Sequence, residues 1–180
     1  MLENSAITGK YAVKCVDANG GIKWEDSIDN VVCTLGKNVM LDAALAGSGY
    51  SVVGPFMGLI SSVSYGAGPA ASDTMASHPG WYEAGYSSYY PLYQVGGNTN
   101  RATCTWSSAS GGSKALSSAL SFSIVTTGGT VEGCFIVYGT GAVNTIGDTN
   151  GTLYSAGVFS GGAKTVGVGD TLQVSYTTSL

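Results

Sequence analysis

Gly151-Thr-Leu-Tyr-Ser-Ala-Gly-Val-Phe-Ser160, Gly161-Gly-Ala-Lys-Thr-Val-Gly-Val-Gly-Asp170 and Thr171-Leu-Gln-Val-Ser-Tyr-Thr-Thr-Ser-Leu180 form one continuous run, and its reading decides the fold. A short apolar segment leads into a Gly161-Gly162 turn. A second short segment follows, then a Gly169-Asp170 corner and a terminal stretch of strict alternation. Leu172, Val174 and Tyr176 point one way; Gln173, Ser175 and Thr177 point the other. That period of two predicts a half-buried β-strand. No catalytic or metal-ligating constellation sits among these six residues.

Composition extends the same reading. The chain has 180 residues, enough for one domain of ordinary size. Glycine is abundant at 28 residues, and charged residues are only 10 %, against about 25 % in an average protein. Such a chain is neither a coiled coil nor a large helical bundle. With 44 % hydrophobic residues and a net charge of −4 it is not of the disordered type either. The mild acidity offers no basic patch for phosphates, so no nucleic-acid partner is expected. No apolar run is long enough to span a bilayer, so no membrane partner is expected. Met1-Leu-Glu-Asn-Ser-Ala has neither a basic region nor an apolar core, so synthesis and use without secretory export are expected.

Charge is unevenly spread. Residues 1–42 carry Glu3, Lys10, Lys14, Asp17, Lys23, Glu25, Asp26, Asp29, Lys37 and Asp42, more than all later positions together. The later surface must then be polar through Ser, Thr, Asn and Tyr, or be covered by protein.

Along the chain, Tyr11 to Val16 predicts a strand, Asn19-Gly20-Gly21 a hairpin turn, and Ile22 to Thr34 a return strand broken near Asp29-Asn30. Asn38 is placed to cap a short helix through Ala46, closed by Gly47. From Pro55 the pattern is strand and loop. Phe56 to Ile60, Ala102 to Trp106, Leu120 to Ile124 and Val131 to Tyr138 read as strands; residues 64–80 and 139–151 read as long loops. About eight strands at short spacing predict a mainly β chain, an antiparallel β-sandwich of jelly-roll type with an N-terminal β-hairpin and one short helix. Residues 1–46 would be an arm or part of the same domain, and 47–180 the sandwich.

Each group able to carry chemistry also has a structural reading. His78 is the only histidine, and no G-x-S-x-G elbow accompanies it, so a packing or hydrogen-bonding role is expected. Cys15, Cys33, Cys104 and Cys134 are widely spaced and lie in strand-like runs, which predicts buried free thiols and no zinc site. Asp17-Ala-Asn-Gly and Asp148-Thr-Asn-Gly resemble fragments of calcium loops but lack the remaining ligands, and Asx turns account for both. Glu25 and Asp26 face opposite ways in an extended segment, which breaks a glycosidase-like carboxylate pair. No cofactor and no metal is expected. Trp24, Tyr82, Tyr86, Tyr89, Tyr90 and Tyr93 remain as candidates for an interface, since each ring presents apolar area with one polar tip.

Several segments taken together resemble a family of tailed-bacteriophage virion proteins. They are Gly20-Gly-Ile-Lys-Trp-Glu-Asp-Ser-Ile-Asp-Asn-Val-Val, Gly36-Lys-Asn-Val-Met-Leu-Asp, Phe56-Met-Gly-Leu-Ile, Asp73-Thr-Met-Ala-Ser-His-Pro-Gly-Trp, Gly151-Thr-Leu-Tyr-Ser-Ala-Gly and Gly169-Asp-Thr-Leu-Gln-Val-Ser-Tyr. The resemblance covers nearly the whole chain and implies a structural component of the particle. The tyrosine-rich Tyr86-Ser-Ser-Tyr-Tyr-Pro-Leu-Tyr segment departs from it. The expected function is non-enzymatic: a capsid decoration or cement protein on the virion surface, made in the host cytoplasm. Its expected partners are the major capsid protein and copies of itself, a trimer among the possible homo-oligomers. The alternative is a tail or head fibre component that binds a host-receptor glycan.

Overall fold

The computed structural model describes residues 6–46, 53–78 and 81–180. Its strands are β1 (Thr8–Val16), β2 (Ile22–Asp29), β3 (Val31–Val32), β4 (Phe56–Ser61), β5 (Tyr82–Glu83), β6 (Tyr93–Gln94), β7 (Ala102–Thr103), β8 (Ser113–Ala115), β9 (Leu120–Ile124), β10 (Gly129–Tyr138), β11 (Thr152–Val158), β12 (Lys164–Val166) and β13 (Thr171–Ser179). They form two antiparallel sheets. The first runs β2-β1-β13-β9-β6, with β8 also on β13; the second runs β3-β11-β10-β4-β5, with β12 on β10 and β7 on β4.

Alternation in β13 is as the sequence predicts: Leu172, Val174 and Tyr176 are buried, while Gln173, Ser175 and Thr177 are exposed. β1 pairs with β13 along its whole length, Tyr11 opposite Tyr176, and the pairing closes where Thr8 Oγ1 and Ser179 Oγ meet at 3.0 Å. Tyr11, Val13 and Cys15 enter the same core as Met57, Leu59, Cys134 and Ile136 of the second sheet. The two sheets thus share one interior, and the Tyr11 hydroxyl reaches Ser155 Oγ across it at 2.6 Å. Strands β1 and β2 do pair antiparallel around the Asp17–Gly21 turn. Both belong to the first sheet, where β1 lies between β2 and β13. The break at Asn30 lets the chain pass from the edge of one sheet to the edge of the other.

The second sheet is buried on both faces. Cys134 and Ile136 of β10 face the shared core, while Phe135 and Val137 join Cys33, Ile60, Met75, Trp81 and Leu153 in a second apolar cluster. Met75 and Trp81 belong to the long segment after β4, which covers this face. Double burial explains why Cys134 to Tyr138 reads as an unbroken apolar run.

The helix lies earlier than the sequence predicts. Helix α1 is Thr34–Leu41, followed by a π-helical turn, Asp42–Ala46; Cys33 precedes it without a side-chain cap, and Asn38 lies inside it. Gly47 falls outside the described residues. Gly36 occupies a helix interior because a Cβ there would sit 2.8 Å from the Tyr154 carbonyl oxygen. Close approach to β11 outweighs the poor helix propensity of glycine.

Candidate functional site

The tyrosine-rich stretch folds as a turn on the edge of the second sheet. Strand β5 pairs with β4, Glu83 opposite Ile60 and Tyr82 opposite Ser61, and its alternation sends Glu83 inward and Tyr82 outward. The chain then reverses: Gly85 N–H donates to the Tyr89 carbonyl at 2.8 Å, and Tyr89 N–H to the Tyr86 carbonyl at 2.9 Å. Gly85 supplies the positive φ this reversal needs. The rings of Tyr82 and Tyr89 come to lie parallel, 4.3 Å apart and inclined by 2°, and the Tyr86 ring stacks on Tyr89 at 6.2 Å. Tyr82 is 42 % exposed and Tyr86 49 %, and Tyr90 is exposed as well. Three stacked phenols at the surface form a stiff, amphipathic platform.

A buried ion pair supports it. Arg101 Nε donates to Glu83 Oε1 at 2.9 Å, and Nη2 to Oε2 at 2.7 Å. The guanidinium also donates to the carbonyls of Val143 and Asp148, and Gly147 N–H donates to Glu83 Oε2 at 2.7 Å. Arg101 lies over the Phe135 ring as well, at 5.3 Å. Burial pushes the Glu83 carboxyl up from its ordinary pKa; the guanidinium, the amide and the Tyr93 hydroxyl draw it back in part. One network therefore fixes β5, the approach to β7 and the 143–148 turn. Gly147 belongs to it for a steric reason too, since a Cβ there would lie 2.0 Å from the Tyr86 ring.

His78 stacks on the buried Trp81 at 4.2 Å. Desolvation and then the Arg101 charge lower its pKa to about 4. A neutral, stacked imidazole and a guanidinium-bound carboxylate make a poor acid–base pair at neutral pH. Between these residues and the platform lies a cleft of about 270 Å³, lined by Ser77, His78, Tyr82, Tyr86, Gly147 and Thr149.

The six interface candidates separate. Tyr82, Tyr86 and Tyr89 share the platform, and Tyr90 is exposed nearby in sequence, its carbonyl accepting from the Ser61 hydroxyl. Tyr93 leaves the set: it is 1 % exposed and packs edge-on against Phe122 in the core. Trp24 acts within the fold. Its ring meets Phe159 edge-on and its Nε1 donates to the Thr165 carbonyl, which joins β2 of one sheet to β12 of the other. The Lys164–Asp26 ion pair at 2.7 Å reinforces that clasp. Glu25 pairs instead with Lys14, on the opposite face of β2 from Asp26.

The other candidates have local structural roles. Asp17 Oδ1 accepts from the amides of Asn19 and Gly21, and Asp148 Oδ1 from that of Asn150, which makes both segments Asx turns. All four cysteines are buried and free. Among the described residues no group of three or more His, Cys, Asp or Glu is placed to hold a metal ion.

Sequence reading missed a second surface. Met40, Pro55, Trp106, Tyr138 and Tyr154 line an apolar groove of about 250 Å³. Leu41 and Leu45 of the neighbouring helical segment are exposed, Leu45 by 79 %. These residues are scattered through the chain, so no local pattern brings them together. Comparison of the chain with protein-family models, with curated proteins and with solved structures finds no match.

Proposed function

We propose that this chain is a non-enzymatic structural component of a tailed-bacteriophage particle, a decoration protein seated on the shell formed by the major capsid protein. The apolar groove beside Met40 and Trp106, together with exposed Leu41 and Leu45, carries the reading. Covering an apolar groove, and exposed leucines that follow Met40 in the same helical segment, lowers the free energy when another protein binds there. A protein that binds only the assembled shell shifts the assembly equilibrium toward it. Repetition over the shell adds avidity, most strongly in a homo-oligomer such as a trimer set on a three-fold position. We read the two-sheet topology as jelly-roll related, since the chain crosses between sheets after β2, β5, β6, β7, β9 and β12.

Three carboxylates that could serve an enzyme are held by cations. Glu83 is bound by Arg101, Asp26 by Lys164 and Glu25 by Lys14. These pairings favour a structural role over a hydrolase.

The test is binding of the purified protein to heads that lack it, followed by co-sedimentation, with Leu41→Asp and Leu45→Asp as variants. Both side chains are exposed, so the fold should survive. The expected result is binding to assembled heads in constant ratio to the shell protein, lost in the double variant. Undiminished binding by that variant would sink the assignment. The fibre alternative is favoured by the tyrosine cleft. It predicts a low copy number per particle, which densitometry of purified virions separates from a decoration protein.

A further inference from the structure

We infer that the cleft between Tyr82, Tyr86 and the 147–149 turn is a carbohydrate-binding subsite that accepts one uncharged sugar ring. The inference does not depend on where the chain sits in a particle, and it shares no residue with the groove assigned to shell contact.

Three properties select the ligand. The first is the ring faces. A phenol ring is electron-rich on its face, and a pyranose presents a row of weakly positive C–H groups on one of its own faces. Tyr82 and Tyr86 line the cleft and are exposed, so their rings are accessible to such a ligand.

The second is charge. Glu83 is the only acid among the lining residues, and it is 4 % exposed and bound at both oxygens by Arg101; Asp148, between Gly147 and Thr149, has both carboxylate oxygens on Asn150. His78, with a pKa near 4, is neutral at physiological pH. No lysine lines the cleft, and Arg101 is itself buried and committed to Glu83. Phosphates and nucleotides find no cation there, and cationic ligands find no available anion. What remains at the rim is neutral: the Thr149 hydroxyl, the tyrosine hydroxyls and backbone groups. These suit the hydroxyls of a sugar.

The third is rigidity. Tyr86 rests on Gly147, whose missing Cβ admits the ring, and Gly147 N–H is held by Glu83. Tyr82 is held by β-pairing on one side and by the parallel Tyr89 ring on the other. The cleft therefore exists before ligand arrives, which lowers the ordering cost of binding. A volume of about 270 Å³ is small for a ligand pocket and suits a single ring. So few ligand atoms give a Kd on the order of 1 mM. Useful affinity would come from many copies engaging a polymeric glycan at once.

Saturation-transfer difference NMR on the full chain tests this, with glucose, galactose, N-acetylglucosamine and rhamnose as separate probes. At least one should receive saturation on its ring C–H protons. Tyr82→Ala and Tyr86→Ala should each reduce the signal about fivefold or more with the sheet signature and a cooperative melt retained, whereas Tyr82→Phe should keep most of it. Thr149→Val should weaken the signal with the stack intact. Absence of transfer to all four sugars overturns the inference, as does undiminished transfer in the Tyr82→Ala/Tyr86→Ala protein. Loss of head binding in that protein, with no sugar transfer in the parent, would assign the platform to a protein partner instead. Leu41→Asp/Leu45→Asp should leave sugar transfer unchanged, which separates this test from that of the shell contact.

Discussion

Arg101 and Glu83 meet as a two-pronged ion pair with side-chain exposures of 0 % and 2 %, Glu83 on the edge strand β5 and Arg101 just before β7. Beyond the pair itself, the bonds to Val143, Gly147 and Asp148 tie one irregular turn to the edge of the second sheet. Removing one partner strands the other. Glu83→Gln and Arg101→Met are each expected to destabilise the fold by about 3–5 kcal/mol, and the double variant by less than their sum. In Arg101→Met the carboxyl keeps the burial that raises its pKa and loses the main group that lowers it. That raised group contributes stability at low pH and loses it as pH rises, so the deficit should be larger near pH ~8 than near pH ~5. Urea unfolding at the two pH values measures both effects.

His78 gives the opposite pH signature. Its pKa falls from 6.5 unfolded to about 4 folded, so the unfolded chain takes up the proton first as pH drops. Stability is fully present above the unfolded value and declines through the window down to about 4, by up to about 3 kcal/mol. His78→Gln should flatten that slope. Denaturation midpoints for parent and variant across the window provide the check.

The cysteines should be silent in the native protein. Burial pushes Cys15 and Cys33 to about 11, Cys104 to about 12 and Cys134 higher still, so thiolate is scarce at neutral pH. An aromatic disulfide reagent is expected to titrate no thiol in the folded state and all four in guanidinium. A fast native reaction would mean that one of these side chains reaches solvent.

Deleting residues 171–179 should abolish cooperative folding. The strand contributes three fully buried side chains, Leu172, Val174 and Tyr176, each worth about 1.5–3 kcal/mol in burial alone. It is also the pairing partner of β1, β8 and β9. That loss rivals the whole stability of an ordinary domain. Circular dichroism and a thermal melt decide it: a retained sheet signal with a sharp transition would contradict the central position of β13.

Where a strand is dry on one face and wet on the other, its side chains record the fact. Thr171 to Thr177 could therefore be read directly, and so could the break at Asn30 and the four buried thiols. Helix α1 was misplaced because Asn38 has the chemistry of a cap, whereas Gly36 is tolerated inside the helix only through contact with Tyr154, far along the chain. The tyrosines were visible as a group, but which of them lie inside was not. Tyr93 lies inside because β6 pairs with β9 and its ring meets Phe122 and Glu83, whereas Tyr90 precedes that strand and is exposed. The Arg101–Glu83 pair left one faint trace in the sequence: Arg101 is the chain's only arginine and stands in a stretch poor in charge. Nothing local could name its partner.

The Thr8–Ser179 contact joins positions 171 apart in sequence. A ribosome delivers β1 and its neighbour β2 long before it delivers β13, so Tyr11, Val13 and Cys15 wait for their second neighbour while the residues between are made. Sheets closed by such distant pairings form slowly, because a long loop must be ordered before any contact rewards it. The same closure means that no early fragment resembles the finished first sheet. Completion of the first sheet thus waits for its closing strand, and a chain that stops short of β13 would present an open strand edge rather than a smaller version of the fold.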